Sequence, residues 1–145
     1  PRDMGPRIFS ASEASALIPE MERIFNEFDQ VRDRIRRNKA RVDVLEMLWG
    51  DELQTESNPD HREYAHYIGE IDRAKKEFDA LNRRVTDLEA VARSVDQGIV
   101  DFYGVIDKRL VFLCWKRGEK AVSFYHPVDD GFQGRKPIPE SESTR

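Results

Sequence analysis

Apolar residues recur at alternating steps of three and four along two long stretches of the chain. The first stretch runs from Ala14 to Trp49, and the second runs from Tyr64 to Val95. A heptad pattern kept up over this length is typical of long helices that pack along a narrow apolar stripe. The pattern therefore predicts two antiparallel helices joined by a short polar loop, which together form a coiled-coil hairpin.

Local signals set the ends of the predicted helices. Ser10 followed by Glu13 has the spacing of a capping box, and Pro19 predicts a kink about two turns into the first helix. Asn58 is placed to cap the second helix, and Gly98 is placed to end it.

After Gly98 the pattern changes from helical to strand-like. The segments Ile99–Ile106, Arg109–Trp115 and Ala121–His126 are rich in β-branched and aromatic residues and are separated by turn residues. They predict a three-stranded antiparallel meander. The middle segment is apolar from Leu110 to Trp115, so both of its faces need cover. The helices would cover one face, and either the 127–138 segment or a second subunit would cover the other.

The predicted fold class is α+β, in a single domain of 145 residues. The helical hairpin occupies 8–97, the meander and its following loop 98–138, and a disordered tail 139–145. The chain has no apolar run long enough to span a membrane and no signal-peptide layout, which predicts a cytoplasmic protein. It also lacks nucleotide-binding and zinc-hydrolase motifs, and we predict no cofactor.

Apolar residues beside the two seams predict a binding partner. Ile18, Phe25, Leu48, Ile68 and Val91 widen the stripe beyond what one neighbouring helix needs. We therefore interpret the chain as a non-enzymatic interaction or structural module. It would form a homodimer through its coiled coil or bind another protein.

Charge is distributed unevenly along the hairpin. Residues 32–41 carry six basic side chains and one acid, whereas residues 43–63 carry seven acids and one arginine. A basic strip can bind phosphates, but these side chains surround the helix and the net charge is −4. We expect no nucleic-acid binding and favour a solvated or intersubunit role for the basic strip.

The alternative interpretation is a binding site on the C-terminal sheet and loop. His126, Asp129, Asp130 and Arg135 combine groups that bind a divalent metal, an anion or a small ligand, or that act in an enzyme. The pattern leaves open whether the chain is an enzyme, and it leaves open the identity of any metal or ligand. An enzyme or small-ligand binder would gather a wider set in one pocket: Trp115, Glu119, Tyr125, His126, Asp129 and Arg135.

Two other arrangements favour structure over chemistry. Glu63 and His66 have the spacing of a metal-binding pair on one helical face, but the heptad phase places His66 on the outside. Cys114 is the single cysteine, so it forms no internal disulfide, and its apolar strand indicates a buried thiol.

The two ends of the chain carry a specific family resemblance. The motifs are Phe9-Ser10 with Glu13-Ala14 and Leu17-Ile18-Pro19, Gly98-Ile-Val-Asp-Phe102, Leu113-Cys-Trp115 with Gly118-Glu119, Tyr125-His126, Asp129, and Gly131-Phe132-Gln-Gly134-Arg135 with Pro137-Ile138. This set resembles the uncharacterised bacterial family known as domain of unknown function 2203. The resemblance implies a small bacterial protein made of a helical hairpin and a sheet, and it implies no activity.

Overall fold

The computed structural model describes residues 5–143. Its helices and strands are, in chain order, α1 (Ala11–Ala16), α2 (Ile18–Trp49), α3 (His61–Asp87), β1 (Val91–Ser94), β2 (Ile99–Ile106), β3 (Arg109–Lys116), β4 (Phe124–Pro127), β5 (Lys136–Pro137) and α4 (Glu140–Ser143). Short 3₁₀ helices lie at Gly50–Gln54 and Phe132–Gly134. The mixture of helix and sheet confirms the predicted fold class in outline. None of the helices in this part of the chain is long and apolar enough to cross a bilayer.

Two compact units make up the chain. One holds the residues up to Phe25 and those from Asn82 onward, and the other holds Asn26–Leu81. The short helix α4 lies within the segment 139–145, which the sequence predicts to be disordered, and residues 144 and 145 lie outside the described residues.

The capping box predicted at the first helix is present. The Ser10 hydroxyl accepts a hydrogen bond from the Glu13 amide at 3.0 Å, and the Glu13 carboxylate accepts one from the Ser10 amide at 2.8 Å. Pro19 has the expected local effect, because the helix is interrupted at Leu17 and resumes at Ile18. Leu17 keeps right-handed helical backbone angles, so the chain passes from α1 to α2 without an intervening loop.

The second long helix ends earlier than its heptad pattern predicts. α3 stops at Asp87, Glu89 adopts a positive φ of 64°, and the Ala90 amide bonds back to the Val85 carbonyl at 3.3 Å. The chain then enters β1, whose residues pair with the edge of β2. The prediction of a helix up to residue 96, ended by Gly98, is therefore wrong. Over so short a stretch, apolar spacing fits a helix and a strand equally well.

In the unit formed by Asn26–Leu81, α2 and α3 run in opposite chain directions. The rings of Phe28 and Phe78 meet edge to face at 5.0 Å, and Arg41 lies over the ring of Tyr67, so later residues of α2 meet earlier residues of α3. An ion pair of 2.8 Å joins Arg34 to Glu77. This packing buries the apolar seam between the two helices.

The sheet has five antiparallel strands in the order β1-β2-β3-β4-β5. The prediction of three strands is wrong because it missed β1, which was assigned to the helix, and the two-residue β5. The central hairpin is as predicted: Asp107 and Lys108 both have positive φ, the conformation of a tight two-residue turn. Gly118 also has the positive φ expected in the following turn.

The two faces of the sheet have different surroundings. On the inner face, Phe102 packs against Phe9 at 5.1 Å between ring centroids, and Trp115 packs against Phe25 of α2 at 6.1 Å. The outer face carries every second residue of the same strands and is partly covered by the segment that follows β4, where Arg135 stacks on Phe124 at 4.1 Å. That segment is one of the two covers that the sequence predicts.

Candidate functional site

Three ligand-type side chains converge on the outer face of the sheet. Asp101 in β2 lies directly opposite Cys114 in β3, and His126 in β4 lies opposite Phe112, two residues along β3 from Cys114. Because side chains alternate between the faces of a strand, all three residues project from the same face. Antiparallel pairing of the predicted strands Arg109–Trp115 and Ala121–His126 across their turn would place His126 near Leu110. The observed pairing with Phe112 brings the histidine two residues closer to Cys114.

The cluster of Asp101, Cys114 and His126 is buried. Their exposed fractions are 1%, 0% and 2%. One donor atom from each residue lies within 4.8 Å of the others, giving one oxygen, one sulfur and one nitrogen. Charged and polar groups are rarely buried so deeply without strong partners, so their contacts define what the cluster can do.

The hydrogen bonds of His126 fix its tautomer. Nδ1 lies 2.9 Å from the carbonyl oxygen of Pro127, which only accepts, so Nδ1 carries a proton and donates it. Nε2 lies 3.0 Å from Oδ2 of Asp101. In a neutral imidazole this Nε2 is a bare acceptor that faces a carboxylate oxygen, itself an acceptor. A shared proton or a cation must therefore lie between His126 and Asp101.

The two carboxylate oxygens of Asp101 have different environments. Oδ2 accepts a hydrogen bond from Nε of Arg93 at 2.9 Å as well as facing His126. Oδ1 is buried and has no partner at ordinary hydrogen-bond distance among the described residues, although a side-chain hydrogen bond between the Cys114 thiol and Asp101 contributes to raising the pKa of the thiol. A thiol is only a weak donor, and a buried carboxylate oxygen without a strong partner is costly, so Oδ1 is the atom of the site that would gain most from binding a cation.

Cys114 is a neutral thiol in this environment. Burial raises its pKa from 9.0 to about 12, and the nearby charge of Asp101 adds to this shift. Arg135 partly offsets the shift and lowers the pKa of the thiol, because its Nη1 lies 3.9 Å from the sulfur. The guanidinium is itself held by Glu119 at 2.6 and 3.2 Å, so it cannot move freely away from the thiol.

We predict that Cys114 resists alkylation in the folded protein. Iodoacetamide should modify it at least about 100-fold more slowly in buffer than in urea, because the reactive thiolate is both scarce and enclosed. Between pH 7 and 10 the native rate should stay low, since the folded pKa of about 12 lies above the ordinary 9.0. Because the pKa of Cys114 is higher in the folded state, the thiol contributes its full share to the free energy of unfolding below about pH 9. This contribution is lost as the pH rises from 9 towards 12. Rapid native labelling at pH 8, followed by mass spectrometry, would contradict the buried placement.

A cleft of about 290 Å³ opens beside the cluster and connects it to the surface. The buried Asp101 and His126 line it together with Arg93 and the exposed Asp129 and Asp130, whereas Cys114 does not line it. Three of the four predicted site residues therefore share one cleft. The fourth, Arg135, does not line it and reaches the cluster through Cys114 instead.

The wider set that an enzyme or small-ligand binder would gather in one pocket is divided between the two faces of the sheet. Trp115 is fully buried on the inner face, where its indole N–H donates to the Glu119 carbonyl at 2.9 Å. Tyr125 pairs with Leu113 and shares that inner face. Only His126 and Asp129 of that set line the cleft. A single pocket built from all six residues is not present in the described part of the chain.

Asp101 was not predicted as a site residue from the sequence. It is one acid inside an otherwise apolar strand segment, from Ile99 to Phe102, and all four residues are buried. That isolated acid was an available signal, since a buried carboxylate needs a partner. Its partners come from β1 and β4, and only the strand register identifies them.

The basic strip of residues 32–41 is largely neutralised in place. Its described ion pairs are Arg34 with Glu77, Arg36 and Arg37 with Asp33, and Lys39 with Asp43. His66 is exposed and lies 4.0 Å from Glu70, while Glu63 accepts a hydrogen bond from Tyr67. Neither region assembles a site comparable to the buried cluster.

Comparison with known proteins identifies a family for the chain. No curated protein and no solved structure matches the chain. One family profile, described as an uncharacterised conserved protein, matches residues 7–138 and so spans Asp101, Cys114 and His126. The chain belongs to this family, DUF2203.

Proposed function

We propose that the protein binds one divalent transition-metal ion, of the zinc class, through Asp101, Cys114 and His126. The observation that carries the proposal is the convergence of one oxygen, one sulfur and one nitrogen within 4.8 Å, all of them buried. Tetrahedral zinc coordination separates such donors by about 3.3–3.6 Å, so modest side-chain adjustment suffices.

The type of donor atom selects the class of metal. Magnesium and calcium take oxygen ligands, whereas a set of thiolate, imidazole and carboxylate suits zinc and similar ions. His126 has the arrangement common in metal-binding histidines, in which one ring N–H donates to a backbone carbonyl and the other nitrogen is left for the ion. The ion would also remove the conflict between His126 Nε2 and the Asp101 carboxylate.

Two arginines surround the proposed site in supporting positions. Arg93 holds Oδ2 of Asp101 and so leaves Oδ1 as the oxygen available to an ion. Arg135 lies near the sulfur and favours the thiolate that metal binding requires. The carboxylates of Asp129 and Asp130 line the cleft, where negative charge attracts a cation and disfavours an anion.

Nucleophilic catalysis by Cys114 is a poorer fit. That chemistry needs a histidine nitrogen on the thiol and a lowered thiol pKa. Here both ring nitrogens of His126 face oxygen atoms, and the pKa of Cys114 is raised to about 12. Three protein donors beside a cleft leave room for a fourth, exchangeable ligand, an arrangement shared with catalytic zinc sites.

Titration of the full chain, treated first with a chelator, with zinc and cobalt(II) tests the proposal. Calorimetry should show one zinc ion per chain. Cobalt should give a thiolate-to-metal charge-transfer absorption that Cys114→Ser lacks. The absence of heat with both ions would overturn the proposal and leave Asp101 and His126 as a proton-sharing structural pair.

The interaction-module interpretation stays a prediction, and its supporting residues now divide into two groups. Phe25 packs against Trp115 inside the protein, and Val91 lies in a strand of the sheet, so neither residue belongs to an exposed helical stripe. Leu48, by contrast, is 68% exposed on α2. Ile18 and Ile68 are half-buried, so Leu48 is the residue of this set that is most available to a partner.

A further inference from the structure

One face of α2 near its C-terminal end carries large apolar side chains that are exposed to solvent. Val44, Met47 and Leu48 are 56%, 86% and 68% exposed. Residues spaced by three or four positions share one face of a helix. Ala40 and Arg37, which are also exposed and lie one and two turns before Val44, therefore belong to the same surface. We call this surface, Arg37 to Leu48, the tip face. Scattered apolar residues are ordinary on a protein surface, but a contiguous set marks a contact site.

A groove lies alongside the tip face between α2 and α3. Its volume is about 450 Å³, and its lining residues include Ala40, Arg41 and Val44 from α2 and Glu63 and Tyr67 from α3. The small side chain of Ala40 leaves space here, whereas the protruding Leu48 lies two turns further along the same helix. The surface therefore carries both a knob and a groove that a knob can fill.

We propose that a second copy of the chain docks on the tip face, with the two α2 helices antiparallel and the two-fold axis at Val44. In that register Leu48 of each copy lies opposite Ala40 of the other, and Met47 lies opposite Arg41. A two-fold interface requires such reciprocity, because residue i must meet j whenever j meets i. Leu48 of each copy would thus insert into the groove beside Ala40 of the other copy.

Charge complementarity supports the same register. Asp51 and Glu52 are exposed about two turns after Val44, just beyond the end of α2, and Arg37 and Arg36 are exposed about two turns before it. Arg36 and Arg37 also pair with Asp33 on their own helix, and α2 ends at Trp49, so no residue-by-residue register extends to the acids. With the axis at Val44, the turn that carries Asp51 and Glu52 in one copy nevertheless lies beside the part of α2 that carries Arg36 and Arg37 in the other. A parallel arrangement would instead place like charges side by side, which is unfavourable. Charge therefore selects the antiparallel orientation.

The mass of the full chain in solution, measured by sedimentation equilibrium, tests the dimer. The wild type should approach twice the 16.9 kDa of one chain at tens of micromolar. Leu48→Glu should weaken dimerisation by about thirtyfold or more, as loss of a central apolar anchor does. Leu110→Glu, at a 45% exposed leucine on the sheet, is the matched control and should leave the mass unchanged.

A charge exchange tests the register itself. Arg37→Glu should weaken the dimer, and adding Asp51→Arg should restore it. Val44→Cys should form a disulfide-linked dimer on oxidation, because position 44 meets its own copy at the axis, whereas Glu46→Cys should not. A monomer at 100 micromolar, or a dimer indifferent to both Leu48→Glu and Arg37→Glu, would overturn the proposal. The monomer would point to a different protein as the occupant of the tip face.

Discussion

Trp115→Ala should destabilise the protein strongly, by about 3–5 kcal/mol. Trp115 is fully buried on the inner face of the sheet, where its ring lies 6.1 Å from that of Phe25. The substitution opens a large cavity and also removes the donor that satisfies the Glu119 carbonyl. The free energy of unfolding of a domain is only about 5–15 kcal/mol, so the substitution would remove a large part of it. Urea denaturation followed by circular dichroism measures the change.

Trp49→Ala is the matched control for this prediction. Trp49 also donates its indole N–H, to Asp60 at 2.8 Å, but it is only half-buried at the end of α2. Trp49→Ala removes the same side chain but leaves a smaller cavity. It should therefore lower the free energy of unfolding clearly less than Trp115→Ala does. Equal losses of stability for the two variants would show that Trp115 is not the centre of the core.

The helices were predictable because their signals are local. A heptad pattern needs no knowledge of distant residues, and neither does the capping box of Ser10 and Glu13. The pattern failed where a short apolar stretch fits a helix and a strand equally well and a neighbouring strand was available for pairing. Val91–Ser94 could continue the helix or pair with β2, and the ladder with β2 prevailed.

The candidate site could be predicted only in part for the same reason. His126 stands out in the sequence as a histidine beside carboxylates, and the structure does bury it in a polar cluster. Asp101 and Cys114 join that cluster through strand register, since they are direct partners on neighbouring strands. A shift of two residues in the pairing was enough to separate the predicted position of His126 from its partners.

His126→Gln should reduce zinc affinity by more than about 100-fold while leaving the fold intact, because loss of a supporting residue alone commonly costs 10–100-fold. The glutamine amide can still donate to Asp101, so the buried carboxylate keeps a partner, but it lacks the imidazole nitrogen that binds zinc. His126→Ala should abolish zinc binding, and it should keep the helical circular dichroism at some cost in stability.

Arg93→Gln provides the graded comparison, since Arg93 contacts Asp101 and is not a proposed ligand. Its zinc affinity should fall by about 10–100-fold, less than that of His126→Gln. Thermal unfolding gives an independent measure, because an ion present at 100 times its dissociation constant stabilises the folded state by about 2.7 kcal/mol. Zinc should therefore raise the melting temperature of the wild type clearly and that of His126→Gln much less, because the same ion concentration stabilises a variant with a 100-fold weaker site by only about 0.4 kcal/mol. If zinc stabilises both proteins equally, the ion binds elsewhere, and the buried cluster serves only to hold the sheet together.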